Sequence, residues 1–308
     1  MLTLHSRTMS TESPVSFARG LSDPLQVNRL RALKSLSAWM DRCGSVYEFS
    51  PTEIDQVWRA LQLTLWMADK RPVQQQVAAE CVLFVRKIHG RYLVEWNRGF
   101  WYNIERMYET VDKYRVPKVH LLIRIYLSEM FHQMNERGFE LSFVESLVSA
   151  ITSNLHKAVG AYIQVISVYL DELHNEIGEV KFTEAVGSES AAIALIQPAL
   201  HVVGLAGQVP LSLVSRTVEK FLVDPRIVNY SSTVRETIKT AVRTAAMSKK
   251  LEQDVRDVLY ACIDQIDAIP QLPKVAKEAS GEKRKVLEKA EKVLGKEALA
   301  KKLVRKAL

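Results

Sequence analysis

Cysteine is nearly absent: three residues, Cys43, Cys81 and Cys262, lie singly along 308 positions. With no CxxC pair and no even-numbered framework, a disulfide scaffold and a cysteine-based zinc module are excluded, and a reducing compartment is implied. Glycine and proline are scarce too, at 12 and 10 residues, where an average domain holds roughly 12% of the two together. A chain with so few turn formers and so much Leu, Ala, Val, Glu and Lys favours helix. No window approaches ~18 consecutive apolar residues, so no membrane-spanning helix is expected. The first 20 residues lack the apolar core of a secretory signal. Their two arginines, several hydroxyl residues and single acid read as a flexible leader, a composition that a mitochondrial presequence shares.

Patterns that carry chemistry are missing as well. The seven histidines (His5, His89, His120, His132, His156, His174, His201) never form HxH, HxxxH or HExxH, so no local zinc signature exists. Gly204-Leu205-Ala206-Gly207 has neither GxGxxG spacing nor a GK[ST] ending, and reads as a helix end rather than a phosphate cradle. No GxSxG elbow occurs, and Cys262 falls on an apolar stripe, where an inert thiol is expected. Asp171, Glu172 and Glu176 share one predicted helix at a spacing that reads as a solvated face. No catalytic residue, cofactor, metal or small-molecule substrate is therefore expected.

What the sequence does hold is helical periodicity and a lopsided charge. The net charge is +7. Residues 270–308 carry 12 Lys and Arg against five Glu, which leaves residues 1–269 balanced at 30 of each sign. The apolar template i, i+3, i+4, i+7, i+11 of an amphipathic helix recurs. It appears as Ile54, Val57, Trp58, Leu61, Leu65; as Val119, Leu122, Ile123, Tyr126, Met130; as Tyr162, Val165, Ile166, Tyr169, Leu173; and as Val255, Val258, Leu259, Cys262, Ile266. Val234, Ile238, Ala241, Val242 and Ala245 make a fifth stripe. No segment alternates with period two between turn signals, so the fold class is all-α.

Start and stop signals agree. Asp23-Pro24 and Ser50-Pro51 each put a capping side chain before a proline at the first helical position, and Ser50 with Glu53 and Ser142 with Glu145 fit the reciprocal capping box. Breaks at Lys70-Arg71-Pro72, Val116-Pro117, Arg137-Gly138, Val186-Gly187-Ser188, Gly207 to Pro210, Asp224-Pro225, Met247-Ser248 and Ala268 to Pro273 leave about ten helices, mostly of roughly 14 to 22 residues. Short connections between amphipathic helices predict antiparallel neighbours stacked into an irregular α-solenoid of HEAT or armadillo type, with a compact irregular helical domain as the alternative. The expected organisation is a flexible leader over 1–20, a helical-repeat domain over 21–268 and a basic, Lys-rich helical tail over 269–308.

Basic tails engage polyanions or serve as nuclear import signals. Lys283, Arg284, Lys285, Lys301, Lys302, Arg305 and Lys306 are the candidate phosphate contacts, and the first three also suit an import signal. In the body, Trp58 and Trp66 lie eight residues apart on one predicted helix, where large aromatics are core. Lys70 and Arg71 follow in the loop that opens the next helix, placed to contact phosphate or an acidic partner.

The stretch from Phe49 to Lys70 (FSPTEIDQVWRALQLTLWMADK), with its Trp58-Arg-Ala-Leu core and Trp66-Met67-Ala-Asp69-Lys70 end, resembles the eukaryotic family of ribosomal RNA-processing protein 1. Phe100-Trp101, Arg115 to Arg124 (RVPKVHLLIR) and Leu127-Ser-Glu129 continue the likeness, as do Leu155-His156 and Tyr169-Leu-Asp-Glu-Leu173. The matches run in family order over roughly residues 22 to 180. Two departures stand out: Arg71 intervenes between Asp69-Lys70 and Pro72, and Pro117 takes the place of an acid before Lys118, itself a third candidate contact in the body. The resemblance implies a non-catalytic nucleolar protein that matures large-subunit precursor rRNA within pre-60S particles, beside other assembly factors. From the residues alone, a helical adaptor that works outside the nucleolus and binds acidic peptides is the alternative.

Overall fold

The computed structural model describes residues 13–154, 157–178 and 182–270, and every regular element among them is helical. In chain order these are α1 (Ala18–Leu21), α2 (Gln26–Cys43), α3 (Pro51–Trp66), α4 (Arg71–Leu83), α5 (Leu93–Thr110), α6 (Val116–Glu136), α7 (Leu141–Asn154) and α8 (Val159–Ile177). There follow α9 (Phe182–Val186), α10 (Glu189–Leu195), α11 (Gln197–Gly204), α12 (Leu211–Thr217), α13 (Pro225–Val228), α14 (Ser232–Ala246) and α15 (Gln253–Ala268). A 3-10 turn precedes α1 (Pro14–Phe17), two more (Phe84–Lys87, Gly90–Tyr92) join α4 to α5, and a π-helical turn (Val218–Leu222) continues α12. The end of the segment expected to be a leader is thus helical, with Pro14 buried. The basic tail and its seven candidate residues lie outside the described residues.

The long helices pack chiefly on the neighbour two places along the chain. One layer holds α3, α5, α7, the α10–α11 pair and α14; the other holds α4, α6, α8, α12 and α15. Short-linked amphipathic helices can bury their stripes in this alternating way, and the result is an all-α solenoid. The units are unequal. Nine helices of the described residues reach 13 residues or more, but between Phe182 and Val228 the chain breaks into five short ones. The expected count of about ten is exceeded there because Gly187 turns the chain at φ 66, Pro198 and Pro225 stand in the first turn of new helices and Pro210 directly before one; a proline fits a helix start but not its interior.

Capping follows the sequence in part. Ser50 and Glu53 close the reciprocal box at the start of α3. Ser142 does not cap: α7 begins one residue earlier at Leu141, after Gly138 and Phe139 reverse the chain at positive φ, and the Ser142 hydroxyl donates to Glu140 instead. Asp23 accepts the Leu25 N–H, yet α2 starts only at Gln26.

The predicted stripes of α3, α6 and α8 are buried in full. At their centre the Trp58 indole donates to the Trp96 carbonyl at 3.0 Å and packs on Trp96, Phe100 and Tyr126, while Phe100 and Tyr126 stack at 3.5 Å. The crossing of α3 and α5 is tight enough to need glycine, since a Cβ on Gly99 would sit 2.6 Å from Ile54 Cγ2. Polar ties run through the same core. The Arg86 guanidinium holds Glu129, 1% exposed, by a forked pair of 2.8 Å bonds. Arg124 donates to the fully buried Glu172 at 2.6 Å, and His132 meets Glu176 at 3.0 Å. The solvated face expected for Asp171, Glu172 and Glu176 therefore holds for Asp171 alone. Glu172 sits between Tyr169 and Leu173 on the buried stripe, where a charge persists only with such a partner.

Candidate nucleic-acid and partner interface

The turn from α3 to α4 carries the Trp66-Met67-Ala68-Asp69-Lys70 motif. No glycine closes α3, so its last carbonyls need other donors. The Met67 and Ala68 N–H groups reach back to Leu63 O and Leu65 O, and side chains from three helices serve Trp66 O and the carbonyls of the turn beyond it. Lys118 on α6 donates to Trp66 O at 2.7 Å, Arg29 on α2 to Met67 O at 2.8 Å, and Gln74 on α4 to Ala68 O and Asp69 O at 3.0 Å. Arg29 is almost fully buried, and its other nitrogen bonds Asp23 O and Pro24 O.

The loop from α5 to α6 meets this turn. Asp112 accepts the Tyr114 and Arg115 N–H groups and pairs with the Arg115 side chain. That guanidinium lies 4.9 Å over the half-buried Trp66 ring, a cation–π contact that ties loop to turn. Burial draws the Lys118 ammonium below its usual pKa, with Arg115 and Arg29 acting in the same sense and Asp69 and Asp112 opposing it. Asp112 lies below the usual carboxylate range: desolvation opposes this, but the hydrogen bonds from the Arg115 side chain and from the Tyr114 and Arg115 N–H groups, together with the Arg115 charge, outweigh it.

Of the three body candidates, the structure sends two outward and one inward. Lys70 occupies the N-cap position of α4 and Arg71 its first turn; both are exposed, and neither side chain has an ion pair or hydrogen bond among the described residues. Lys118 is half-buried and committed to Trp66 O, so it shapes the corner rather than facing a partner. On the α5–α6 loop Tyr114 is 79% exposed, with the Lys113 ammonium 5.1 Å from its ring. Arg29, Lys113, Tyr114 and Arg115 were not singled out from the sequence. The available signal was an aromatic residue flanked by charge in the run Asp112-Lys113-Tyr114-Arg115.

This corner is a rigid, mostly cationic surface with one bare ring. It offers charge and stacking area and presents no activated nucleophile. Elsewhere, burial pushes the Cys262 thiol up to about 12 and raises Cys81 as well, so both stay protonated. Among the described residues no group of three or more His, Cys, Asp or Glu could hold a metal ion, and no helix is long and apolar enough to cross a membrane.

The chain is similar to several known proteins. The chain is 26% identical over 180 residues, 55% of its length, to ribosomal RNA processing protein 1 homolog A of Mus musculus, of which this covers 36%. Over 169 residues it is 25% identical to ribosomal RNA processing protein 1 homolog B of Homo sapiens, covering 52% of this chain and 22% of that one. The Drosophila melanogaster ribosomal RNA processing protein 1 homolog matches at 23% over 172 residues. The chain thus spans well under half the length of these relatives. A family model described as nucleolar protein, Nop52, matches residues 12–303, a stretch that takes in the helical body, the corner and nearly all of the basic tail. The chain is a member of the Nop52 family of nucleolar proteins.

Proposed function

We propose that the protein is a non-catalytic nucleolar scaffold that takes part in processing of large-subunit precursor rRNA within pre-60S particles. The observation that carries this reading is the extent of the family match, residues 12–303, because it joins the helical body and the cationic tail in one inherited unit. Relatives named as rRNA-processing proteins support it. In this reading the solenoid body docks on neighbouring assembly factors, and Lys283, Arg284, Lys285, Lys301, Lys302, Arg305 and Lys306 contact rRNA phosphates. Such contacts are sequence-independent and salt-sensitive, since each cation that neutralises a phosphate releases condensed counterions.

The test is affinity purification of the tagged full chain with RNA crosslinking, beside imaging of the same tag. Nucleolar signal and recovery of large-subunit precursor rRNA, reduced when the seven tail cations are changed to Gln, are expected. Recovery unchanged by the tail substitutions would shift rRNA contact onto the body. Signal outside the nucleolus with no precursor rRNA would overturn the proposal in favour of a peptide-binding adaptor.

A further inference from the structure

We propose that the corner formed by the α3–α4 turn and the α5–α6 loop binds single-stranded RNA, with a base stacked on Tyr114 and adjacent phosphates on Lys70, Arg71 and Lys113. The inference rests on the RNA-associated role above and names a site on the folded body, apart from the tail.

Three observations carry it. Tyr114 is the most exposed large hydrophobic side chain among the described residues, at 79%. A bare phenol ring is not explained by packing, and stacking of a splayed base on an aromatic face is how unpaired nucleotides are held. Next, the cations of the turn, the loop and their supports divide into two sets. Arg29, Arg115 and Lys118 are bound to carbonyls, to Asp112 or to the Trp66 ring, whereas Lys70 and Arg71 have no side-chain partner among the described residues and Lys113 touches only the Tyr114 ring. The second set is free to meet phosphate. Finally, the first set fixes both loops, so little ordering is left to oppose binding.

An acidic peptide would satisfy the cations and leave the ring idle, which favours RNA. A duplex keeps its bases stacked inside, which favours a single strand.

The test uses the full chain and a fluorescein-labelled, unstructured 12-nucleotide RNA, with anisotropy followed over a salt series, in two backgrounds: the natural tail, and the tail with its seven candidate cations changed to Gln. Tyr114→Ala is expected to weaken binding about 5- to 150-fold in both backgrounds, with the salt slope unchanged. Tyr114→Phe should bind as the unsubstituted chain does. Changing Lys70, Arg71 and Lys113 together to Gln should flatten the slope of log K against log salt by about 2, at roughly 0.7 per phosphate on a single strand. Ultraviolet crosslinking should place a nucleotide adduct on Tyr114. Tyr260→Ala, a half-exposed ring on α15, is the control and should change nothing.

Equal binding by Tyr114→Ala and the unsubstituted chain in both backgrounds overturns the inference. So does a poly-glutamate peptide that binds the corner more tightly than RNA and is indifferent to Tyr114→Ala. Either result leaves the nucleolar role standing if the tagged chain still recovers precursor rRNA; loss of that recovery condemns the role itself, whatever the corner does.

Discussion

The two ends of the solenoid are built from different materials. From α1 to α8 the core is aromatic: all five tryptophans lie there, and rings touch in an unbroken series from Phe17 through Trp39, Phe49, Trp96, Trp58 and Phe100 to Tyr126. From α9 to α15 the core is Val, Leu, Ile and Ala, with Phe221 its one fully buried ring. Large rings prefer edge-on or offset partners and so specify which helix meets which, and long helices carry them at regular spacing. Small aliphatic side chains pack in many arrangements, and the chain there is free to break into short helices around a π turn. The candidate RNA corner sits in the aromatic part, where its supports are most sharply positioned.

Substitutions can break or sharpen this contrast. Trp58→Ala should have the largest effect, a loss of about 3–5 kcal/mol for a buried ring, read by urea unfolding. Phe221→Ala in the other part should act by the same mechanism. A single transition in both variants would mark one shared core, whereas two steps in either would mean that the parts unfold separately. Gly99→Ala should cost about 1–3 kcal/mol through overpacking against Ile54. Gly187→Ala should cost less, about 1 kcal/mol, because its φ of 66 strains a side chain but its surroundings are open.

The smallest effect separates two histidines of one helix. His132 is half-buried, which disfavours its charge, as does nearby Arg86, but the hydrogen bond with Glu176 and the charges of Glu129 and Glu176 together outweigh this and its pKa is raised. A raised folded value means that its contribution is complete below the unfolded pKa of about 6.5 and fades as pH rises through the folded value. His120, beside Tyr108, is lowered by burial. It favours the folded state above pH about 6.5, and that contribution is lost as pH falls through the folded value. Unfolding curves from pH 5 to 8 should therefore show His132→Gln losing most at the acid end and His120→Gln losing most at the neutral end. Parallel curves would remove the distinction.

Much of this was legible beforehand, and the reasons differ by region. The α3, α6 and α8 stripes could be read because a 3.6-residue period and a long uninterrupted run coincide. The short helices between Phe182 and Val228 could not, because four to eight residues give too little period to count. Glu172 and Glu176 were misread as solvated because their partners, Arg124 and His132, stand more than 40 positions away. At the corner, the exposure of Lys70 and Arg71 follows from a turn signal, but the inward course of Lys118 does not, since nothing local says that Trp66 O lacks a donor.

That carbonyl array also dates the corner within folding. A helix closed by its own glycine finishes with local contacts, at the pace of a loop closing on itself. Here the last carbonyls of α3 wait for donors 38 and 52 positions distant in sequence, so the turn can lock only after α2 and α6 have docked against it. A nascent or half-assembled chain would display the cations on a loose strand, and the finished surface would exist only once its surroundings were complete.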